Sequence, residues 1–129
     1  MKKLKLKLAT LLLTLSCLAI SVNAEETAIE WAPFIKAKGV SDKSLVLAAD
    51  SVNSAFLSKQ KGFIKRELIK KNDTEYADVI YWENKSYAIA AGEKVNSCIE
   101  CNDYFQLMKM GEKAGEGFSH YTILKTWLH

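Results

Sequence analysis

Gly62-Phe63-Ile64-Lys65-Arg66-Glu67-Leu68-Ile69-Lys70 and Tyr76-Ala77-Asp78-Val79-Ile80-Tyr81-Trp82-Glu83, joined by Lys71-Asn72-Asp73-Thr74-Glu75, decide the fold. Two apolar-rich runs around a polar five-residue loop predict a β-hairpin with strands at Phe63–Lys70 and Tyr76–Glu83. Neither strand has a purely polar face. By simple alternation Phe63 and Ile69 share one face of the first strand, and Ile64 and Leu68 share the other. In the second strand Val79 and Tyr81 oppose Ile80 and Trp82. An antiparallel sheet with one wet face should alternate cleanly, so this sheet is expected to be covered on both sides.

Upstream, Thr27 to Lys38 reads as a strand, and Pro33 suggests an edge or a bulge. Gly39-Val40-Ser41 is a turn whose Ser41 can cap a helix from Asp42 to Gln60. In that helix Leu45, Ala48, Ala49, Val52, Ala55 and Phe56 recur at helical spacing, and Gly62 ends it. Downstream, Asn84 can cap a second helix from Lys85 to about Ser97. A short helical segment (Ile99–Met108), a Gly-rich loop (Met110–Gly117) and a last strand (His120–Leu128) follow. The order β-α-β-β-α-β is the α+β, ferredoxin-like arrangement, an antiparallel sheet with its helices on one face. A second copy of the chain is the economical cover for the other face, which predicts a homodimer whose two sheets enclose a barrel.

The first 24 residues read as an export signal. Lys2, Lys3, Lys5 and Lys7 precede an apolar run, Leu8–Ile20, and Val22-Asn23-Ala24 offers a cleavage site. The run is short for a membrane span, which needs about 20 residues. We therefore expect residues 1–24 to be removed. Residues 25–129 then form one domain that is exported, periplasmic or secreted, and free of the membrane once processed. The formal charge of +3 over 129 residues belongs to that signal. Without it fifteen acidic residues outnumber the basic ones by one, which argues against nucleic-acid binding. Hydrophobic residues at 49% and a single Pro fit a globular domain. Three cysteines are too few for a disulfide scaffold.

The run from Gly62 to Leu68, the Asn72-Asp73 turn and Asp78-Val79-Ile80-Tyr81-Trp82-Glu83 together resemble the antibiotic-biosynthesis-monooxygenase-like family of the dimeric α/β barrel superfamily. Its members open the second strand with a Pro-Gly-Phe step and close the third with Trp-Glu-Ser. An Ala-rich helix face follows, here Ala88, Ala90 and Ala91, and then an aromatic segment, here Cys101-Asn102-Asp103-Tyr104-Phe105. The resemblance spans roughly Trp31 to Leu124, with Ser119-His120-Tyr121 opening the last strand. It implies the dimeric barrel fold and admits quinone-forming monooxygenases that use no cofactor, haem-degrading enzymes, and members without known activity. The haem-degrading branch needs an Asn on the first strand, a Trp ending the third and a His in the second helical region. Trp82 supplies the Trp, Pro33 stands at the first-strand position, and no His lies between Asn84 and Gly111. No cofactor is therefore expected.

Several residues carry candidate chemistry. His120 can act as a general base toward a phenolic substrate, or serve as a hydrogen-bonded strand residue near the dimer contact. Trp82, Tyr81, Tyr104, Phe105 and Tyr121 could line a pocket for a small aromatic or apolar ligand, or simply pack the core. Arg66, the one arginine, would recognise an anion or carboxylate if it faced inward on a central strand. Cys98-Ile99-Glu100-Cys101 can form a structural disulfide, pack as buried thiols or exchange disulfides. On a continuous helix their Cβ atoms would lie about 5–6 Å apart, beyond disulfide reach unless the helix breaks near Ser97. Two cysteines with distant His120 and His129 lack the spacing of a zinc site, and no metal is expected. Three functions follow: a monooxygenase-like enzyme on a small aromatic compound, a non-catalytic ligand-binding or structural dimer, and a thiol-redox protein using Cys98 and Cys101.

Overall fold

A computed structural model describes residues 26–109 and 117–129. The expected signal segment, Met1–Ala24, lies outside the described residues, as does all of the Gly-rich loop except Gly117. Strands β1 (Ala28–Ile35), β2 (Phe63–Lys70), β3 (Glu75–Trp82) and β4 (Ser119–Thr122) form one antiparallel sheet in the order β2-β3-β1-β4. Helices α1 (Asp42–Ala55), α2 (Lys85–Lys94) and α3 (Ile99–Phe105) complete an α+β, ferredoxin-like fold.

The helix starts follow from their caps. The Ser41 hydroxyl accepts from the Ser44 N–H at 3.1 Å, and the Asn84 side-chain oxygen accepts from the Tyr87 N–H at 3.0 Å. Both helices end sooner than their apolar periodicity suggests, passing into 3-10 turns at Leu57–Lys59 and Val95–Ser97. The hairpin loop is fixed by Asn72, whose side-chain oxygen accepts from the Thr74 and Glu75 backbone N–H groups. Gly62 takes φ +80 at the mouth of β2, where the Tyr87 ring covers it closely.

The core lies between one sheet face and the helices. Leu45, Ala49 and Val52 of α1 and Ala88 and Ala91 of α2 pack with Tyr76, Ile80 and Trp82 of β3. Pairing in register puts Ala28, Glu30, Ala32 and Phe34 of β1 on the same face, with Phe63, Arg66, Leu68 and Lys70 of β2 and His120 of β4. The opposite face presents Ile29, Trp31, Pro33, Ile35, Ile69, Val79, Tyr81 and Tyr121. No residue of that second face belongs to the core cluster.

Three expectations need correction. Phe63 and Ile69 lie on opposite faces, because a bulge between Phe63 and Lys65 inserts Ile64 and reverses the alternation that follows. Pro33 lies on β1, an inner strand, but beyond Ala28–Trp31, the stretch paired with β4; its missing N–H therefore interrupts no bond to that strand. The last strand spans only Ser119–Thr122; after one further bond, Ile123 N–H to Thr27 C=O at 2.9 Å, the chain leaves the sheet.

Candidate functional site

Two residues that the β1–β4 register sets directly opposite, Glu30 and His120, meet on the helix face of the sheet. Their Oε2 and Nε2 atoms are 3.3 Å apart, and both side chains are largely buried. Burial first, and the nearby Asp78 carboxylate second, push the Glu30 carboxyl up from 4.5 to about 7. Burial, and then the charge of Lys85, lower the His120 imidazole. An ion pair would move both groups the other way. Each shift instead disfavours the charged form of its own group, as burial does.

A second polar group stands beside this pair. Asp78 on β3 accepts from Arg66 Nε at 2.7 Å and from the Tyr104 hydroxyl at 3.0 Å. Arg66 donates again to the Ala49 carbonyl at 2.9 Å, and its guanidinium lies 4.9 Å from the centroid of the Tyr104 ring. Side-chain exposure is 6% for Arg66 and 8% for Asp78, so the pair is shielded from water and its geometry is closed. Burial and the Asp78 charge hold the Tyr104 phenol well above its usual range.

Glu30, His120, Asp78, Ile80, Trp82, Tyr104 and Phe118 border a space of about 1550 Å³ that also reaches Trp31, Pro33, Ile35 and Ile69 of the opposite sheet face. Ala28 and Ala32 flank Glu30 on β1 and supply no bulk, and Ala88 and Ala91 do the same from α2. Trp82 is 1% exposed, and its indole N–H finds no partner among the described residues. The result is a largely apolar space with aromatic residues in its walls and the Glu30–His120 pair at its border.

The sequence-predicted residues separate into two sets. His120, Trp82, Tyr104, Phe105 and Arg66 border the cleft. Tyr81 and Tyr121 do not join them and lie on the opposite face, Tyr81 toward Glu67 at 3.1 Å. Arg66 faces inward as anion recognition requires, but it sits on an edge strand, and its carboxylate partner is internal. Cys98 and Cys101 form a disulfide, with Cα atoms 5.2 Å apart. The helix does break there: Cys98 is extended backbone that caps α3, and its sulfur accepts from the Cys101 N–H. Both cysteines are buried. Among the described residues no group of His, Cys, Asp and Glu is arranged to hold a metal ion, and no helix is long and apolar enough to cross a membrane.

Glu30 and Asp78 were missed by sequence reasoning. Each was signalled: a lone carboxylate at an inward-facing position of an otherwise apolar strand, in Ala28-Ile29-Glu30-Trp31 and Tyr76-Ala77-Asp78-Val79. A buried acid without a visible partner is uncommon enough to mark a site.

No known family profile matches the chain, and no curated protein matches it. Solved structures do. Two forms of SnoaB, a cofactor-independent oxygenase from Streptomyces nogalater, superpose with TM-scores of 0.60 and 0.57 at 14% identity. The matches cover 78% and 80% of this chain and 96% and 97% of those chains. A dimeric ferredoxin-like protein from an uncultured marine organism matches with a TM-score of 0.50 at 12% identity, over 82% of this chain and 95% of that one. The chain thus shares the ferredoxin-like fold of these structures, as its hairpin motifs led us to expect.

Proposed function

We propose that the protein is an exported homodimer that acts as an oxygenase-like enzyme on a small aromatic compound, with Glu30 and His120 as its acid–base pair. The observation that carries the reading is that pair, partly buried and 3.3 Å apart at the border of a space with aromatic walls. The likeness in fold to a cofactor-independent oxygenase supports the same reaction class.

Such a reaction needs a base and a dry, apolar space. A carbon or phenolic acid gives its proton to the His120–Glu30 pair and becomes an electron-rich anion. Aromatic walls exclude water and leave the anion to dioxygen. For anthrone, a suitable probe, the ring CH2 loses a proton and its carbon bonds to one oxygen atom. Loss of the second hydrogen with O–O cleavage gives the quinone carbonyl, and the other oxygen leaves as water. Anthrone and dioxygen thus become anthraquinone and water, with all electrons drawn from the substrate. The pair is most basic once Glu30 has ionised, so the rate should rise as pH passes through about 7. Oxygen uptake with anthrone, corrected for the uncatalysed rate, tests this. Loss of at least tenfold in both Glu30→Gln and His120→Gln supports the assignment. Turnover unchanged in both variants, or absent in the wild type, overturns it.

The open sheet face supports the homodimer. Trp31, Ile35, Ile69 and Tyr121 form an apolar surface of the kind a second copy covers, and one structural neighbour is itself dimeric. Light scattering on the processed protein at micromolar concentration tests this, and a monomer mass would refute it. Export rests on Lys2–Lys7, the Leu8–Ile20 run and Val22-Asn23-Ala24. Mass spectrometry of protein from its native host should find Glu25 as the first residue.

A further inference from the structure

We propose that the Cys98–Cys101 disulfide is a thiol–disulfide exchange site that takes a dithiol through a groove at Cys98 and, once reduced, releases the wall that α3 gives the cleft. The proposal uses the cleft only as a space and stands apart from the oxygenase reading.

The bond lies between two spaces. Cys101 borders the cleft, together with Val95 and Tyr104. Cys98 borders a separate surface groove of about 350 Å³, formed by Ala55, Phe56, Lys94, Ser97, Ile99 and Glu100. Cys98 is 8% exposed and Cys101 is 1% exposed. A thiolate in the groove therefore meets the Cys98 sulfur first, with the Cys101 sulfur behind it as the leaving group. The Lys94 ammonium favours an incoming anion there.

Chemistry then selects a dithiol. The thiolate bonds to the Cys98 sulfur as the Cys98–Cys101 bond breaks, and the Cys101 sulfur takes up a proton. Cys101 stays beside the mixed disulfide, since the two Cα atoms are 5.2 Å apart, and can expel the newcomer again. A monothiol is lost by this return step. The second thiol of a dithiol attacks the first sulfur of its own molecule, frees Cys98 and closes a cyclic disulfide. Two electrons and two protons pass from the dithiol to the two cysteines. The freed Cys98 thiol has an acceptor in Glu100, whose Oε2 lies 3.9 Å from the sulfur. A loop with a sequence separation of 3 gains little from closure entropy, so the bond resists reduction less than one closing a long loop.

The consequence falls on α3. Beyond its C-terminal end the Leu107 carbonyl accepts from the Ala37 N–H at 2.8 Å, and the Lys109 N–H donates to the Ile35 carbonyl at 2.7 Å. Its N-terminal end hangs on the Cys98 cap. There the cysteines are backed by one long side-chain bond among the described residues, Asn102 Nδ2 to the Asn96 carbonyl at 3.5 Å. Cys101 and Tyr104 stand three residues apart on one helix face, and the Tyr104 hydroxyl donates to Asp78 at 3.0 Å. Reduction frees the first turn of α3 while its far end stays fixed, so the cleft wall loosens at Val95 and Cys101 and the sheet keeps its pairing.

Two measurements on the full chain test this. Cys101→Ser leaves a thiol on the groove, and Cys98→Ser leaves one on the cleft. Each variant is treated with dithionitrobenzoate (an aryl disulfide), and labelling is read on the tryptic peptide Val95–Lys109, which holds both positions and excludes Cys17. Cys98 should be labelled about tenfold faster than Cys101. Wild type reduced with dithiothreitol and pulsed with iodoacetamide should give the same ranking without a substitution. Amide hydrogen exchange over Val95–Lys109 should rise about threefold when dithiothreitol reduces the wild type, while β3 stays unchanged. In Cys98→Ala with Cys101→Ala, dithiothreitol should change nothing. Equal labelling, faster labelling of Cys101, no response to dithiothreitol, or a rise that extends to β3 overturns the proposal. Neither readout involves anthrone, so the oxygenase reading can fail while this one stands, and the reverse.

Discussion

Replacing Glu30 by Gln should stabilise the protein at high pH and leave it unchanged at low pH. The Glu30 carboxyl is raised from 4.5 to about 7, so the fold tolerates its neutral form and resists its charge. Below about 4.5 the carboxyl is protonated in both folded and unfolded chains, and its contribution is fully present. As pH rises through about 7 the unfolded chain has already ionised, and that contribution is lost. A tenfold change in proton affinity is worth roughly 1.4 kcal/mol, so the loss approaches about 3 kcal/mol by pH 8. Gln has the shape of the protonated acid and never ionises. Urea unfolding of wild type and Glu30→Gln at pH 4, 5.5, 7 and 8 should show a gap near zero at pH 4. The gap should grow to about 3 kcal/mol in favour of the variant at pH 8. His120 is present in both proteins, so its own titration largely cancels. A constant gap, or a variant less stable at neutral pH, would mean that Glu30 and His120 form an ion pair and that burial does not govern the Glu30 carboxyl.

Other perturbations follow from the same packing. Gly62→Ala should cost about 2–3 kcal/mol in denaturant unfolding, from its positive φ and the Tyr87 ring against it; with Tyr87→Ala added, the cost should fall to about 1 kcal/mol. Asp78→Ala leaves the Arg66 charge buried and should destabilise by about 3–5 kcal/mol, part of which Arg66→Met in the same chain should restore. The disulfide closes a very short loop, so Cys98→Ser with Cys101→Ser should lower stability by about 2 kcal/mol and leave insulin-reduction activity at the background level shown by wild type. Trp31→Lys, on the open sheet face, should give a folded monomer by light scattering if a second copy covers that face.

The hairpin made the fold legible. Its alternating apolar residues, the caps Ser41 and Asn84 and the Asn72 turn are local signals, and each acts over a few residues. The site was only half legible. His120 and Trp82 stand out by type, and Arg66 by being alone. Glu30 gains its meaning from His120, ninety positions away, through a strand pairing that no local pattern encodes. Tyr81 and Tyr121 were grouped with Trp82 by chemistry, although adjacent strand positions must point apart. The cysteines illustrate a third case. Their helical spacing forbids a disulfide, and the extended backbone at Cys98 that removes the obstacle depends on how the preceding helix ends.

Ile64, the extra residue of β2, works as a phase shifter. Phe63 pairs with Trp82 and Lys65 with Tyr81, and everything from Lys65 onward is offset by one position from the alternation that Phe63 begins. The bulge that takes up this residue keeps Phe63 and the rest of the strand in phase with β3. Regular alternation through Ile64 with no bulge would turn Arg66 and Leu68 away from the core and bring Lys65, Glu67 and Ile69 inward. A chain lacking Ile64 would instead keep the same partners in an uninterrupted ladder, Arg66 still meeting Asp78. Position 64 is thus where this hairpin can change length by one residue while the buried charge pair stays in register.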